Sequence, residues 1–178
     1  MKILKKEIVS SSKYLNFVAT KFINKNNEES IWYSAERSNG GKTVIIAAIQ
    51  DDKLVITREF RVPIGGYEWA LPAGLVDENE SIETTARREL KEETNLELTK
   101  IVQVTPFMTN SAGLTNEVVS IVFCYAQGSV NQSGNEQSEE IETFLMNKKE
   151  LSNLMKDKSK VFSAKAWLIF DKFIHQGW

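Results

Sequence analysis

Three early stretches, KILKKEIV (2–9), YLNFVATKFI (14–23) and SIWYSAER (30–37), either alternate apolar with polar residues or concentrate β-formers. SSS and NKNNEE separate them. That pattern predicts short strands. Asn39-Gly40-Gly41 is a turn signal and marks a boundary. Beyond it, TVIIAAIQ (43–50) and KLVITREF (53–60) read as a hairpin around Asp51-Asp52. A loop at 64–67 and a short strand from Trp69 to Leu71 come next, stopped by Pro72. IVQVTPFM (101–108), EVVSIVFCYA (117–126) and Ile141 to Met146 read as further strands. Between the last two lies the polar, Gly/Ser-rich GSVNQSGNEQSE (128–139), expected to be a loop.

The period changes at three places. From Ser81 to Thr94, Ile82, Ala86 and Leu90 recur at helical spacing. KKELSNLM (148–155) predicts a short amphipathic helix. A last helix from Ser163 to His175 is expected to bury Ala166, Trp167, Phe170 and Phe173. Strands interleaved with these helices imply an α/β chain, a mixed sheet sandwiched between helices.

Charge changes the picture at one of these helices. Glu89, Glu92 and Glu93 project from one side of the 81–94 helix, where like charges repel. Glu89 and Glu93 fall on or beside the apolar stripe, while Arg87 and Lys91 point to solvent. Acids bordering a buried face need partners. A divalent cation is one candidate, and Arg88, four residues before Glu92, is the other. Elsewhere, composition mainly excludes. The net charge of −2 gives no reason to expect nucleic-acid binding. The single cysteine, Cys124, rules out an internal disulfide and reads as a buried thiol. No apolar run is long enough to span a membrane, and the first residues lack a signal-peptide core. The cytoplasm is the expected location.

Read with its flanks, GLVDENESIETTARRELKEETNL (74–96) resembles the Nudix box. Gly74, Glu80, Arg88, Glu89, Leu90, Glu92, Glu93 and Leu96 match in register. Asn95 stands where the family has glycine. The site follows the helix and calls for a left-handed backbone, which Asn tolerates next best. REFRVPIGGYEWALPAGL (58–75) and SAGLTNE (111–117) are similar to ADP-sugar pyrophosphatases within that family. Ala70 departs from them, since many relatives have an acid there.

The resemblance implies a Nudix fold and a small antiparallel β-segment, with residues 1–40 as dimerisation segment and base clamp and 41–178 as the hydrolase domain. It implies Mg²⁺ (Mn²⁺ able to substitute) on Glu89, Glu92, Glu93 and the Ala73 carbonyl, with Gly74 letting the chain turn close by. Hard cations of this kind favour oxygen ligands. Arg88 orients the glutamates. Glu80 either supports the cluster or serves as a helix-start carboxylate. The general base is expected in SEEIETF, with Glu139 the best match and Glu140 and Glu136 as competitors. Arg61 grips the diphosphate, Arg58 is either a second contact or a surface residue, and Glu117 lies across the pocket. Tyr14 and Trp32 either clamp the base or pack a small β-domain. His175 has no role.

The implied activity is hydrolysis of a nucleoside diphosphate sugar, ADP-ribose first, to AMP and ribose 5-phosphate. The implied assembly is a homodimer through the N-terminal strands. Two alternatives stay open: another nucleotide sugar such as GDP-mannose, and a Nudix-fold sensor that does not hydrolyse.

Overall fold

A computed structural model describes residues 1–38, 40–131 and 140–178. Strands β1 (Lys2–Ser11), β2 (Leu15–Ile23) and β3 (Glu29–Arg37) form an antiparallel sheet of their own, in the order β1-β2-β3. Nine strands form a second, mixed sheet: β4 (Lys42–Gln50), β5 (Lys53–Arg61), β6 (Gly66–Ala70), β7 (Ala73–Leu75), β8 (Glu97–Val104), β9 (Met108–Thr109), β10 (Val118–Gln127), β11 (Ile141–Met146) and β12 (Val161–Phe162). The helices are α1 (Ile82–Thr94), α2 (Lys148–Lys156) and α3 (Ala164–His175). Their placement matches the expected mixed sheet between helices.

Strand β4 shows why. Its near-continuous apolar run belongs to a strand covered on both faces. Ile45, Ala47 and Ile49 join a core with Leu151 of α2 and Ile169, Phe170 and Phe173 of α3. Val44, Ile46 and Ala48 join a second core with Ala86 and Leu90 of α1. Leu90 and Phe170 are fully buried, each stabilising the fold by roughly 1.5–3 kcal/mol. Cys124 sits in the second core, and burial pushes its thiol up to about 12, as befits an inert packing residue.

The feature that builds a site is a fork. Strands β4 and β5 pair at two positions only, Ile49 with Leu54 and Gln50 with Lys53. The turn between them has Asp51 and Asp52 at φ 48° and 61°, as a tight two-residue hairpin requires. Past that point the strands part. β5 continues with β6 and β11. β4 takes β7 through Thr43, Val44 and Ile45. The divergence leaves a gap whose walls come from both branches.

Several expectations need correction. Gly66 and Tyr67 are already strand, because the loop is confined to a 3-10 turn over Val62–Ile64 closed by Gly65 at φ 59°. β8 starts at Glu97 and ends before Pro106, which has no N–H to give a ladder. β7 and β12 are too short for their periodicity to have been read. Trp167 is 39% exposed. It stands one residue off the buried stripe and meets Phe162 edge-on at the sheet margin, ring centroids 5.0 Å apart. Among the described residues no helix is long and apolar enough to cross a membrane.

Candidate active site

Helix α1 carries the acids into the fork. Ser81 caps it, accepting from Thr84 N–H at 3.1 Å. Asn95 ends it at φ 62°, and its N–H reaches Lys91 O. This is the left-handed stop expected of that position, with Asn in glycine's role. Between these caps Ala86 and Leu90 anchor the helix to the core, so the next face along, with Glu89 and Glu93, is turned into the gap.

Arg88 organises that face. Its Nε and Nη2 donate to Glu80 at 3.1 and 2.9 Å, and Nη2 also donates to Leu75 O at 3.1 Å. Nη1 donates to Glu89 at 2.8 Å and to Glu92 at 3.1 Å. One planar guanidinium thus bonds to acceptors on four residues, which a lysine could not do. Glu80 stands at the helix start and is tied to Arg88. It precedes the helix cap, and it also accepts from Thr85 Oγ1 at 2.8 Å. These donors, Arg88 first, lower its carboxyl from the ordinary 4.5 to about 2. The same pairing raises Arg88 further still.

Gly74 matters for a steric reason. A Cβ placed on it would lie 1.9 Å from the Glu89 carboxyl carbon. The Glu89 carboxylate therefore rests directly against bare backbone of β7. Gly74→Ala should leave the fold intact, since only the end of a flexible side chain must move, while displacing Glu89 from its seat. We expect a melting temperature close to the parent's with activity lowered by about 10²-fold or more, given the usual sensitivity to ångström-scale misplacement. Parental activity would refute that role.

A cleft of about 860 Å³ occupies the fork. Its lining brings together Ala73, Gly74, Arg88, Glu89, Glu92, Glu93, Arg61 and Glu117, eight of the residues singled out from sequence. Glu93 is 8% exposed, and its backbone oxygen is held by Thr143 Oγ1 at 3.0 Å. Glu92, with its side chain 50% exposed, is the outermost of the three acids. Across the cleft Arg61 pairs with Glu59 at 2.6 Å and approaches Glu68 at 3.6 Å.

Other expected residues stand elsewhere. Arg58 pairs with Glu142 at 2.6 Å and lies over the Tyr67 ring at 4.5 Å, on the β5 face opposite Arg61. It is partly buried, and its Nε is enclosed without a hydrogen-bond partner. Glu140 accepts a hydrogen bond from the Tyr67 hydroxyl and is not among the residues lining the cleft. Glu139 and Glu136 fall outside the described residues. Trp32 donates from Nε1 to Gly113 O at 3.0 Å, and Tyr14 takes Ser38 N–H on its carbonyl. Six strand positions, or about 20 Å, separate Trp32 from Ser38, so the two rings of one chain do not face each other.

Sequence reasoning missed Arg37, Glu68, Asn110 and Lys165, all of which line the cleft. Arg37 and Glu117 form an ion pair at 2.5 Å. No sequence signal joins them; the contact arises because residues 113–115 run along the edge of β3, with Ala35 N–H bonded to Leu114 O at 2.8 Å.

Residues 40–168 match the NUDIX domain family model. The chain belongs to the Nudix family. Among curated Nudix relatives, ADP-ribose pyrophosphatase of Saccharomyces cerevisiae is 35% identical over 123 residues, 64% of this chain and 53% of that protein. ADP-sugar pyrophosphatase of Mus musculus is 26% identical over 125 residues, 65% of this chain and 57% of that protein. The chain spans about half the length of the curated relatives it matches. A solved structure titled as an ADP compounds hydrolase superposes with a TM-score of 0.79 at 20% identity, covering 96% of this chain and 90% of that one. At that identity the likeness is one of fold.

Does the Nudix helix fit a metal? Among the described residues no three acidic, histidine or cysteine side chains are already grouped as ligands. Arg88 holds Glu89 and Glu92 instead. The donor chemistry nevertheless suits a hard cation. Every candidate is oxygen: Glu89, Glu92, Glu93 and the Ala73 carbonyl, beside a backbone stripped of its Cβ at Gly74.

Proposed function

We propose that this protein hydrolyses a nucleoside diphosphate sugar, ADP-ribose above others, to AMP and ribose 5-phosphate. One observation carries the reading: three glutamates of the Nudix helix and the cations Arg37, Arg61 and Lys165 line a single cleft. A diphosphate bridging a cation site and a basic wall is the ligand that uses both sides. The names of the yeast and mouse relatives point to the same substrate class.

Mg²⁺ held by Glu89, Glu92, Glu93 and the Ala73 carbonyl would neutralise diphosphate charge and acidify a water. The chain's own groups do the rest. Arg61 offers a planar fork to phosphate oxygens. Arg88 keeps Glu89 and Glu92 in place. Water adds to phosphorus, the bridging P–O bond breaks, and a carboxylate takes the proton; Glu139 is our assignment for it. Glu117 lies across the pocket from the helix acids, within reach of the metal, and Ala70 leaves the wall without the acid common in relatives.

The test is a screen of nucleotide diphosphate compounds with Mg²⁺ or Mn²⁺ and identification of the products. AMP and ribose 5-phosphate from ADP-ribose are expected. Turnover of GDP-mannose with ADP-ribose inert would overturn the substrate assignment, and no turnover of any compound would overturn hydrolysis in favour of a sensor.

A homodimer through residues 1–40 fits two features. All ten residues of β1 are exposed, Ile3 by 70% and Ile8 by 62%, on an edge strand with no described partner beyond β2. Unprotected edges of this kind invite pairing. Moreover, Tyr14 and Trp32 are too far apart to clamp one base unless each chain of a pair supplies one. Light scattering should give twice 20.2 kDa, and Ile3→Lys with Ile8→Lys should give a monomer with a raised KM. A parental protein that is monomeric while active would exclude this arrangement.

A further inference from the structure

Four cationic side chains line the cleft. Three are committed to carboxylates: Arg37 to Glu117, Arg61 to Glu59, and Arg88 to Glu80, Glu89 and Glu92. Lys165 differs. Its ammonium donates to the Oδ1 of Asn110, a neutral amide, and no ion pair of Lys165 occurs among the described residues. Asn110 in turn donates through Nδ2 to Glu117, whose other oxygen holds Arg37. The amide is thereby anchored, and it holds the Lys165 ammonium at the lining of the cleft.

The position brings no benefit to the helix. Lys165 lies in the first turn of α3, which contains no acidic residue. A cation there has the unfavourable sign for the helix dipole. Nor does it serve the core, which α3 meets through Ala166, Ile169, Phe170 and Phe173. A lysine that neither its helix nor the core favours, facing a cleft otherwise filled with paired charges, has its full charge available to an entering anion.

We propose that Lys165 is a substrate-binding residue that leaves the Asn110 amide for an anionic oxygen of the diphosphate. The inference rests on the cleft being a nucleoside diphosphate site. The exchange replaces a neutral acceptor by a charged one, so the ammonium gains the attraction of an opposite charge. It also releases no buried carboxylate, whereas each arginine must share itself with an acid it already serves. Asn110 acts as a positioning residue, since a lysine already held by a hydrogen bond loses less rotamer freedom on binding than a free one.

The experiment compares the parent with Lys165→Gln, Lys165→Arg and Asn110→Ala, using ADP-ribose with Mg²⁺ at several salt concentrations. For Lys165→Gln we expect KM raised roughly tenfold or more, kcat changed far less, an unchanged melting temperature and a weaker dependence of KM on salt. Lys165→Arg should retain most of the affinity, and Asn110→Ala should lie between. Calorimetric titration of ADP-ribose into the metal-free proteins reads the same comparison without turnover. Weaker binding by Lys165→Gln supports the proposal even if the parent releases no AMP, which would sink only the hydrolase reading. Parental Kd, KM and salt slope in Lys165→Gln overturn it.

Discussion

Glu93→Gln is expected to lower kcat/KM for nucleoside diphosphate cleavage by about 10²–10³-fold, the usual cost of removing one preorganised electrostatic group. The substitution keeps the shape of the side chain and removes only its charge. Glu93 is the most enclosed of the three helix acids and lines the same cleft as Ala73 and Gly74. A Gln there can still accept a hydrogen bond but attracts a divalent ion far less. Stability should barely change, because burying an amide is no costlier than burying a carboxylate. The measurement is AMP release across a Mg²⁺ series, beside a thermal melt. If the variant matches the parent at every Mg²⁺ concentration, Glu93 does not hold the ion and the metal assignment on α1 must be redrawn.

Arg88→Ala should hurt both stability and activity. Its guanidinium satisfies Glu80, Glu89, Glu92 and the Leu75 carbonyl together. Removing it leaves partly enclosed charges without donors, so the melting temperature should fall. Activity should fall by about 10²-fold or more as Glu89 and Glu92 lose their orientation. Arg88→Lys should recover part of the stability and less of the activity, since an ammonium lacks the fork. The pH dependence has a definite sign. Glu80 is depressed to about 2 in the folded protein from an ordinary 4.5. Its contribution is present above the ordinary value and is lost as pH falls from there through about 2. The stability gap between parent and Arg88→Ala should therefore narrow between pH 4.5 and pH 2. Thermal melts over that range would check it, and a gap independent of pH would show that Arg88 does not stabilise through Glu80.

The helix and its acids were legible because their cause is local. Spacing placed Glu89 and Glu93 on the edge of an apolar stripe, and the stripe is buried as read, at Ala86 and Leu90. Asn95 was legible for the same reason: a backbone turned to φ 62° is a property of one residue and its neighbours. Trp167 was misread because a helical wheel cannot say where the opposing layer ends. α3 overhangs the sheet at β12, and the ring lands beyond the core. Arg58 was left open between two roles in sequence, and strand alternation puts it on the β5 face opposite Arg61, away from the cleft lining.

What local pattern could specify is the set of elements, the buried faces of β4, α1 and α3, and the row of carboxylates, since each depends on residues within a turn or a pleat of one another. Tertiary structure alone decided the fork between β4 and β5, the seating of Glu89 against Gly74, and the meeting of Arg37, Asn110, Glu117 and Lys165. Those contacts join residues up to 80 positions apart, and distance along the chain carries no periodicity that could announce them. They exist because strands that pair at one end and part at the other bring remote side chains to the walls of the same gap.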